Sequence, residues 1–339
     1  MTRSSRRVVV TQRFFDAAAI AYLESAGCEV VVADLPPGEA DGGLDHDTLA
    51  ALLQGAQGWI VGHARVTHFL LAALPHLAVV ARRGVGYERV DLQAAADLGR
   101  VVTIAAGGND ASVADQAIGM MIALGRRFRE AQAQMNAGAW SILMGSDLYR
   151  KTVGVVGLGR IGRSVVQRLS GFEAEVLVAT SRPDPEYAAR TGVRFVDLET
   201  LLAQSAYVTL HAPLTPATRH MIDAAAMARM APGAFLINTA RGGLVCDRDL
   251  LAALEAGRLG GAGLDVFESE ADPALQPVTG ALIARPDVIA APHAGASTRE
   301  GLARTNMIAA RCVVAVLEGQ DPPAGCVVAD GRPGRDARP

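Results

Sequence analysis

The stretch "TVGVVGLGRIGRSVVQRL", residues 152–169, constrains this chain more than any other. An apolar, β-branched run ends at Gly157, passes through Gly159 and Gly162, and continues into a segment whose apolar positions include Ile161, Val165, Val166 and Leu169. Strand, glycine turn and helix in that order form the opening of a βαβ unit, and each glycine has a physical task there. Gly157 permits the tight turn, Gly159 lets a pyrophosphate approach the backbone, and Gly162 lets helix and strand pack closely. Arg160 and Ile161 complete the loop, where the first N–H groups of the helix offer a positive dipole end to an anion. The sequence therefore predicts dinucleotide binding, against the plainer reading of a tight strand-to-helix turn.

The rest of the chain has the rhythm such a unit needs. Short β-branched runs alternate with Ala/Leu-rich helical stretches, the pattern of parallel sheets covered on both faces, so the expected class is α/β. Strands are expected at "RVVV", "CEVVVAD", "GWIVG", "LAVVARR" and "VVTIAA", and then, in a second series, at "VGVVG", "EVLVAT", "YVTLHAP", "AFLINTA", "GAGLDVF" and "DVIAAPH". One long helix is expected between the two series, over residues 112–140. After His293, "STREGLARTNMIAARCVVAVLEG" reads as a helix with a capping box from Ser297 and Glu300. The last residues, "ADGRPGRDARP", lack apolar periodicity and read as a flexible tail.

Composition excludes several functions. With half of 339 residues apolar and a formal net charge of −3, the chain can bury a sizeable core but presents no basic stripe for nucleic acid or an anionic membrane. The apolar run behind the basic opening "MTRSSRR", read as a frayed end, is too short for a signal peptide, and no stretch approaches a membrane span. Cys28, Cys246, Cys312 and Cys326 stand far apart without a C-x-x-C pair, which fits reduced thiols in the cytoplasm and no zinc motif. "DGGLDHD" lacks calcium-loop spacing and reads as a solvated turn. No metal is expected.

Three late strands end in residues that can do chemistry: Arg241 after "AFLINTA", Asp265 then Glu270 after "GAGL", and His293 after "DVIAAP". In an open parallel sheet the carboxyl ends of the strands line the ligand crevice, so these side chains can converge beside a bound cofactor. Arg241 can grip a carboxylate with two prongs, His293 can donate a proton, and a carboxylate beside the imidazole would fix its orientation. Each alone reads as a surface ion pair or a strand-end cap; together, behind a dinucleotide loop, they read as a site. A second glycine stretch, "RRGVGYERVD", is a plain loop or a nest of N–H groups for a small carboxylate. His46, His68, His76 and His220 are expected to be solvated.

Taken together, "RRGVGYERVD", "SVADQAIGMMIALGR", "TVGVVGLGRIG", "HAPLTPAT", "GAFLINTARGGLV", "LDVFESE" and "APHAGAST" resemble the D-isomer-specific 2-hydroxyacid dehydrogenases, from about residue 7 to about residue 325. The resemblance implies two doubly wound parallel-sheet domains, flavodoxin- or Rossmann-like, with a cleft between them. Residues 7–104 and 297–328 would bind substrate, 105–296 would bind the dinucleotide, and 329–339 would be the tail. It also implies a homodimer formed largely through the long helix. By motif, His293 would be the acid/base, Glu270 its partner, and Arg241 the residue that orients the substrate carboxylate and polarises its carbonyl. The N–H groups of Val85 and Gly86 would hold that carboxylate. Thr239, Ala240 and Asp265 would meet the nicotinamide end, with His211 and Pro213 along the adenosine side, and His293 and Gly295 would also contact the cofactor. The implied reaction is hydride transfer between a nicotinamide cofactor and C2 of a 2-oxo or 2-hydroxy acid. Ala271 stands where proline often follows the catalytic glutamate, and no regulatory domain is expected after the return helix. Glu270 argues against the formate dehydrogenases of the family, which need no proton donor. Relatives that use this fold as nicotinamide-responsive corepressors keep a binding-module reading open.

The second strand of the dinucleotide series ends in "ATSRPDP". NAD-preferring members usually place an aspartate at the position of Thr180; here Thr180, Ser181 and Arg182 offer two hydroxyls and a guanidinium, a set suited to a 2′-phosphate. The expected cofactor is NADP(H), with NAD(H) as the alternative, Arg182 then pointing to solvent or Asp184 taking the ribose. The same stretch resembles NADPH-dependent glyoxylate/hydroxypyruvate reductases, so a small 2-oxo acid is the expected substrate, with a bulkier one or 3-phosphoglycerate as alternatives.

Overall fold

A computed structural model describes residues 6–35 and 40–334. Most of the opening read as a frayed end, and residues 335–339 of the expected tail, lie outside the described residues. The chain divides into two compact units, one made of residues up to Asn109 and from Ala296 onward, the other of Asp110–Gly295.

The first unit holds β1 (Arg6–Val10), β2 (Cys28–Val32), β3 (Gly58–Val61), β4 (Val79–Arg82) and β5 (Val101–Ile104). The second holds β6 (Thr152–Val156), β7 (Glu175–Ala179), β8 (Arg194–Phe195), β9 (Tyr207–Leu210), β10 (Phe235–Asn238), β11 (Gly261–Leu264) and β12 (Val288–Ala290). β13 (Val327–Asp330) returns to the first unit.

In the first unit the order is β13-β5-β4-β3-β1-β2, parallel except for β13, which runs antiparallel to β5. In the second it is β12-β11-β10-β9-β6-β7-β8, parallel throughout. Each order reverses once, beside β1 and beside β6, and such a reversal opens a crevice at the carboxyl ends of the strands.

Strand residues are buried on both faces, which is why these strands read as continuous apolar runs. Along β7, Val176 and Val178 pack on one face with Val153, Val155 and Tyr207, while Leu177 and Ala179 pack on the other with Val208, Leu210 and Leu236. In the first unit Val8, Val10 and Ile60 meet Ala309, Ala310 and Val313 of the helix Arg299–Leu317, and Val9, Trp59 and Val61 face the opposite layer. A fully buried side chain of this size contributes about 1.5–3 kcal/mol.

Four expectations are corrected. The expected long helix is two, Asp110–Gly125 and Phe128–Asn136, with Arg127 left-handed between them at φ 53°. A Cβ on Gly125 would lie 2.4 Å from the Tyr207 hydroxyl, and the Gly125 carbonyl is taken by the Ser146 N–H, so packing ends the first helix there. The helix after His293 is capped by Thr298, which accepts from Gly301 N at 2.9 Å, so the cap falls one residue after Ser297. The tail expected from residue 329 begins inside β13, whose Ala329 and Asp330 pair with Val102 and Val101. Lastly "DGGLDHD" is not wholly solvated: Asp41 is buried and accepts from Thr11 Oγ1, Gly62 N and His63 N at 2.9, 2.7 and 2.6 Å. None of the helices among the described residues is long and apolar enough to cross a membrane.

Candidate active site

The expected site residues of the second unit all stand just beyond the carboxyl ends of adjacent strands. Gly157 to Gly162 follow β6 and open the helix Arg160–Leu169; Thr180, Ser181 and Arg182 follow β7; His211 and Pro213 follow β9. Thr239, Ala240 and Arg241 follow β10, Asp265 and Glu270 follow β11, and His293 and Gly295 follow β12.

The glycine loop is tight where it must be and open where a ligand would lie. Gly157 has φ 94°, and a Cβ there would come within 2.8 Å of the His211 carbonyl group. A Cβ on Gly162 would come within 2.2 Å of Gly157 O, so the helix could not pack so close. At Gly159 a Cβ would meet nothing within 4 Å, and this residue caps the helix without a side chain, leaving the surface for an anion. Further round the same edge, the Thr239 Oγ1 and His211 Nδ1 atoms are buried without a hydrogen-bond partner among the described residues. His211 Nε2 lies 2.9 Å from Thr209 Oγ1, and burial pushes the imidazole down to about 4, so the ring is neutral near pH 7. An open helix terminus and these unpartnered polar atoms fit a nicotinamide dinucleotide.

After β7, Thr180 Oγ1 accepts from Arg182 N at 3.3 Å, while Ser181 and Arg182 are exposed. Asp184 is engaged within its own unit. Its carboxylate pairs with Arg163 at 2.8 Å and caps the helix Pro185–Thr191 through Tyr187 N, and these contacts hold it below the usual carboxylate range.

His293 Nδ1 lies 2.7 Å from Glu270 Oε2. Glu270 is fixed in turn, its Oε1 accepting from Phe267 N at 2.8 Å. Burial alone would raise the Glu270 carboxyl; the His293 hydrogen bond and charge, Phe267 N–H and the Arg241 charge outweigh it and leave the group below its ordinary value. Arg241 is oriented by its own neighbours: Nη1 donates to Ala240 O at 2.7 Å, and Asn238 Nδ2 donates to Arg241 O at 2.9 Å.

Asp265 is the hub beneath them. It is buried, accepts from Ala294 N, Gly295 N and Gln116 Nε2 at 2.7, 2.8 and 2.7 Å, and its carbonyl accepts from His293 N at 2.7 Å. Burial pushes its carboxyl above the ordinary value despite these donors. A Cβ on Gly295 would lie 2.9 Å from Asp265 Oδ2, so glycine is needed for this contact. Sequence reading missed Asn238 and Gln116. Asn238 lies inside the quoted "NTARG" motif, but Gln116 reaches Asp265 across 149 residues, and no local pattern could report it.

Val85 and Gly86 belong to the first unit, on the loop after β4. There Arg82 Nε donates to Gly86 O at 2.7 Å and Ala105 N to Gly84 O at 3.0 Å, which fix the loop. His220 departs from its expected solvated place: it lies in the second unit with Nε2 2.5 Å from Oε1 of the buried Glu268.

Residues 118–295 match the family model of the D-isomer specific 2-hydroxyacid dehydrogenase, NAD binding domain. The glyoxylate reductase of Korarchaeum cryptofilum is 37% identical over 257 residues, 74% of this chain and 76% of that protein. The chain belongs to the D-isomer-specific 2-hydroxyacid dehydrogenases. Within that family, the D-3-phosphoglycerate dehydrogenase of Mycobacterium tuberculosis is 38% identical over 293 residues, 85% of this chain and 54% of that enzyme. The chain thus spans about half the length of the phosphoglycerate dehydrogenases it matches. Among solved family structures, a D-lactate dehydrogenase from Aquifex aeolicus, crystallised with NAD and lactic acid, superposes with a TM-score of 0.81 at 26% identity, over 95% of this chain and 98% of that one.

Proposed function

We propose that this chain reduces a small 2-oxo acid, of the glyoxylate or hydroxypyruvate kind, to the D-2-hydroxy acid with NADP(H) preferred over NAD(H), and catalyses the reverse oxidation. The observation that carries the reading is the His293–Glu270 pair at 2.7 Å, with Arg241 close enough to act on the Glu270 charge, at strand ends on the same edge of the sheet as the glycine loop. When bound, the nicotinamide would exchange a hydride with C2. With Nδ1 engaged by Glu270, Nε2 is the ring nitrogen that gives a proton to the C2 oxygen, and the carboxylate stabilises the imidazolium before transfer. Arg241 grips the substrate carboxylate and its charge favours the developing alkoxide. The loop at Val85 and Gly86 is proposed to bind a small carboxylate through its N–H groups.

NADP(H) preference rests on Thr180, Ser181 and Arg182, where no carboxylate would repel a 2′-phosphate and Asp184 is already engaged. The small substrate rests on the glyoxylate reductase relative. A homodimer belongs to the same proposal, supported by the helix Phe128–Asn136, which buries none of its residues, and by exposed Phe128, Met135, Trp140, Ile142 and Met144 around it. A cytoplasmic setting belongs to the same proposal, supported by four cysteines that form no C-x-x-C pair in the sequence.

The test is initial rates of glyoxylate, hydroxypyruvate and pyruvate reduction and of 3-phosphoglycerate oxidation, each with the phosphorylated and unphosphorylated cofactor. Fast glyoxylate or hydroxypyruvate turnover with NADPH is the expected result, and Thr180→Asp should lower the NADPH-to-NADH ratio of kcat/KM by about tenfold or more. Preference for NADH in the unaltered protein would remove the phosphate role of these residues. Fast turnover confined to 3-phosphoglycerate would replace the substrate.

A further inference from the structure

Below the turn that carries Glu270, three side chains outside the proposed chemistry converge. The ligand atoms of His220, Cys246 and Glu268 all lie within 4.8 Å of one another. We infer that His220, Cys246 and Glu268 form a binding site for one zinc-like divalent cation, distinct from the His293–Glu270 pair.

The backbone brings the three together before any ligand arrives. His220 N donates to Gly243 O at 2.8 Å, Ile222 N to Leu244 O and Cys246 N to Ile222 O at 3.1 Å each, and Ile222 bridges Val245 in parallel, so His220 and Cys246 flank one short ladder. Glu268 is tied to the same place by a reciprocal pair, Asp247 N to Glu268 Oε2 at 2.8 Å and Glu268 N to Asp247 Oδ2 at 3.0 Å.

The donor set is selective. A thiolate, an imidazole and a carboxylate suit zinc and its late first-row neighbours, whereas magnesium and calcium favour oxygen alone. Tetrahedral donors around zinc stand about 3–4 Å apart, so small side-chain rotations that part His220 Nε2 from Glu268 Oε1, now 2.5 Å apart, and bring the Cys246 sulfur nearer give the site its spacing, with water as fourth ligand.

Charge argues in the same direction. Asp247 and Glu268 are both buried, and Asp249 stands close enough to raise the Cys246 thiol, while Arg219 reaches Glu268 only at 3.9 Å. A bound cation offsets these carboxylates, and the thiol proton leaves to solvent as the metal–sulfur bond forms. Linear spacing hides the site, because its ligands come from three separate segments.

Cobalt(II) reports the ligands directly. The full chain, reduced and freed of metal with a chelator, is titrated with Co²⁺ and then Zn²⁺ while ultraviolet and visible spectra are recorded. The expected result is saturation at about one equivalent, visible bands of tetrahedral cobalt, a near-ultraviolet sulfur-to-cobalt band, and displacement by zinc. The near-isosteric Cys246→Ser should remove the sulfur band and weaken binding by about tenfold or more, His220→Gln should weaken it similarly, and His293→Ala should change neither. No sulfur band, a band that survives Cys246→Ser, or a band lost in His293→Ala overturns the inference. If His220→Gln fails to fold, Cys246→Ser alone decides. The readout is spectroscopic, so a failed dehydrogenase assay and a failed metal site are separate outcomes.

Discussion

The three-residue turn Glu268–Glu270 sends one glutamate to each of two histidines, and the surroundings of the two pairs differ sharply. Glu270 and His293 are about equally open, with side chains 40% and 39% exposed. Glu268 is only 6% exposed against 36% for His220, and its second oxygen is taken by Asp247 N. Both histidines sit in left-handed backbone, at φ 53° and 52°, so strain does not tell them apart. Short contact and backbone geometry do not separate the two pairs, and the two imidazoles are almost equally exposed; what favours His293 for the proposed chemistry is its open carboxylate partner, the nearby Arg241 and the strand-end position. The Glu270 carboxylate is open to follow a change of charge on its imidazole, whereas Glu268 is buried and held by Asp247 N.

The sharpest way to break this contrast is His293→Ala, expected to lower kcat by about 10²–10⁴-fold with little change in urea unfolding. An unchanged kcat would move the chemistry away from the open pair. His211, a half-buried imidazole with its Nδ1 atom shielded from solvent and no carboxylate hydrogen-bonded to it among the described residues, is the control. Its folded pKa of about 4 lies below its ordinary 6.5, so the unfolded chain binds the extra proton. Stability from this group is therefore complete above about pH 6.5 and is lost as pH falls toward 4, by up to about 3 kcal/mol. Unfolding free energies at pH 7 and pH 4.5 should converge for wild type and His211→Gln at the lower pH. A constant gap would show that the ring charges freely in the fold.

Smaller in size, His220→Ala in metal-free protein should cost about 2 kcal/mol of stability by stripping the buried Glu268 of its donor, while kcat falls only a few-fold. Equal losses in kcat from His220→Ala and His293→Ala would erase the distinction. Gln116→Leu should have the least effect, removing one of three donors to the Asp265 carboxylate and lowering kcat a few-fold without changing the cofactor preference. A full loss of activity there would make Gln116 part of the chemistry instead of its support.

Much of this was legible in the chain. Apolar runs at the period of buried parallel strands placed most strands; β8 escaped because two residues carry no period, and β13 because it is short, antiparallel and runs into the polar stretch read as a tail. That Arg241, Glu270 and His293 stand beyond neighbouring strand ends was legible from where the apolar runs stop. What could not be read were contacts made at long range. Gln116 on Asp265, Glu268 on Asp247 and Asp41 on Gly62 each satisfy buried polar groups across the fold, and nothing in neighbouring residues records them. The break at Arg127 was hidden for the same reason, since Tyr207, far away in sequence, forbids a side chain at Gly125.

The first unit takes β13 and the helix Arg299–Leu317 from the far side of the second, which is continuous in sequence. During synthesis from the amino end, the ribosome finishes the second unit while the first still waits with β5 unpaired at one edge and the Val8, Val10 and Ile60 layer uncovered. The inserted unit, once folded, holds its two ends in place and shortens the chain that the first must close. The part carrying the glycine loop therefore matures first, and the part carrying the Val85–Gly86 loop last.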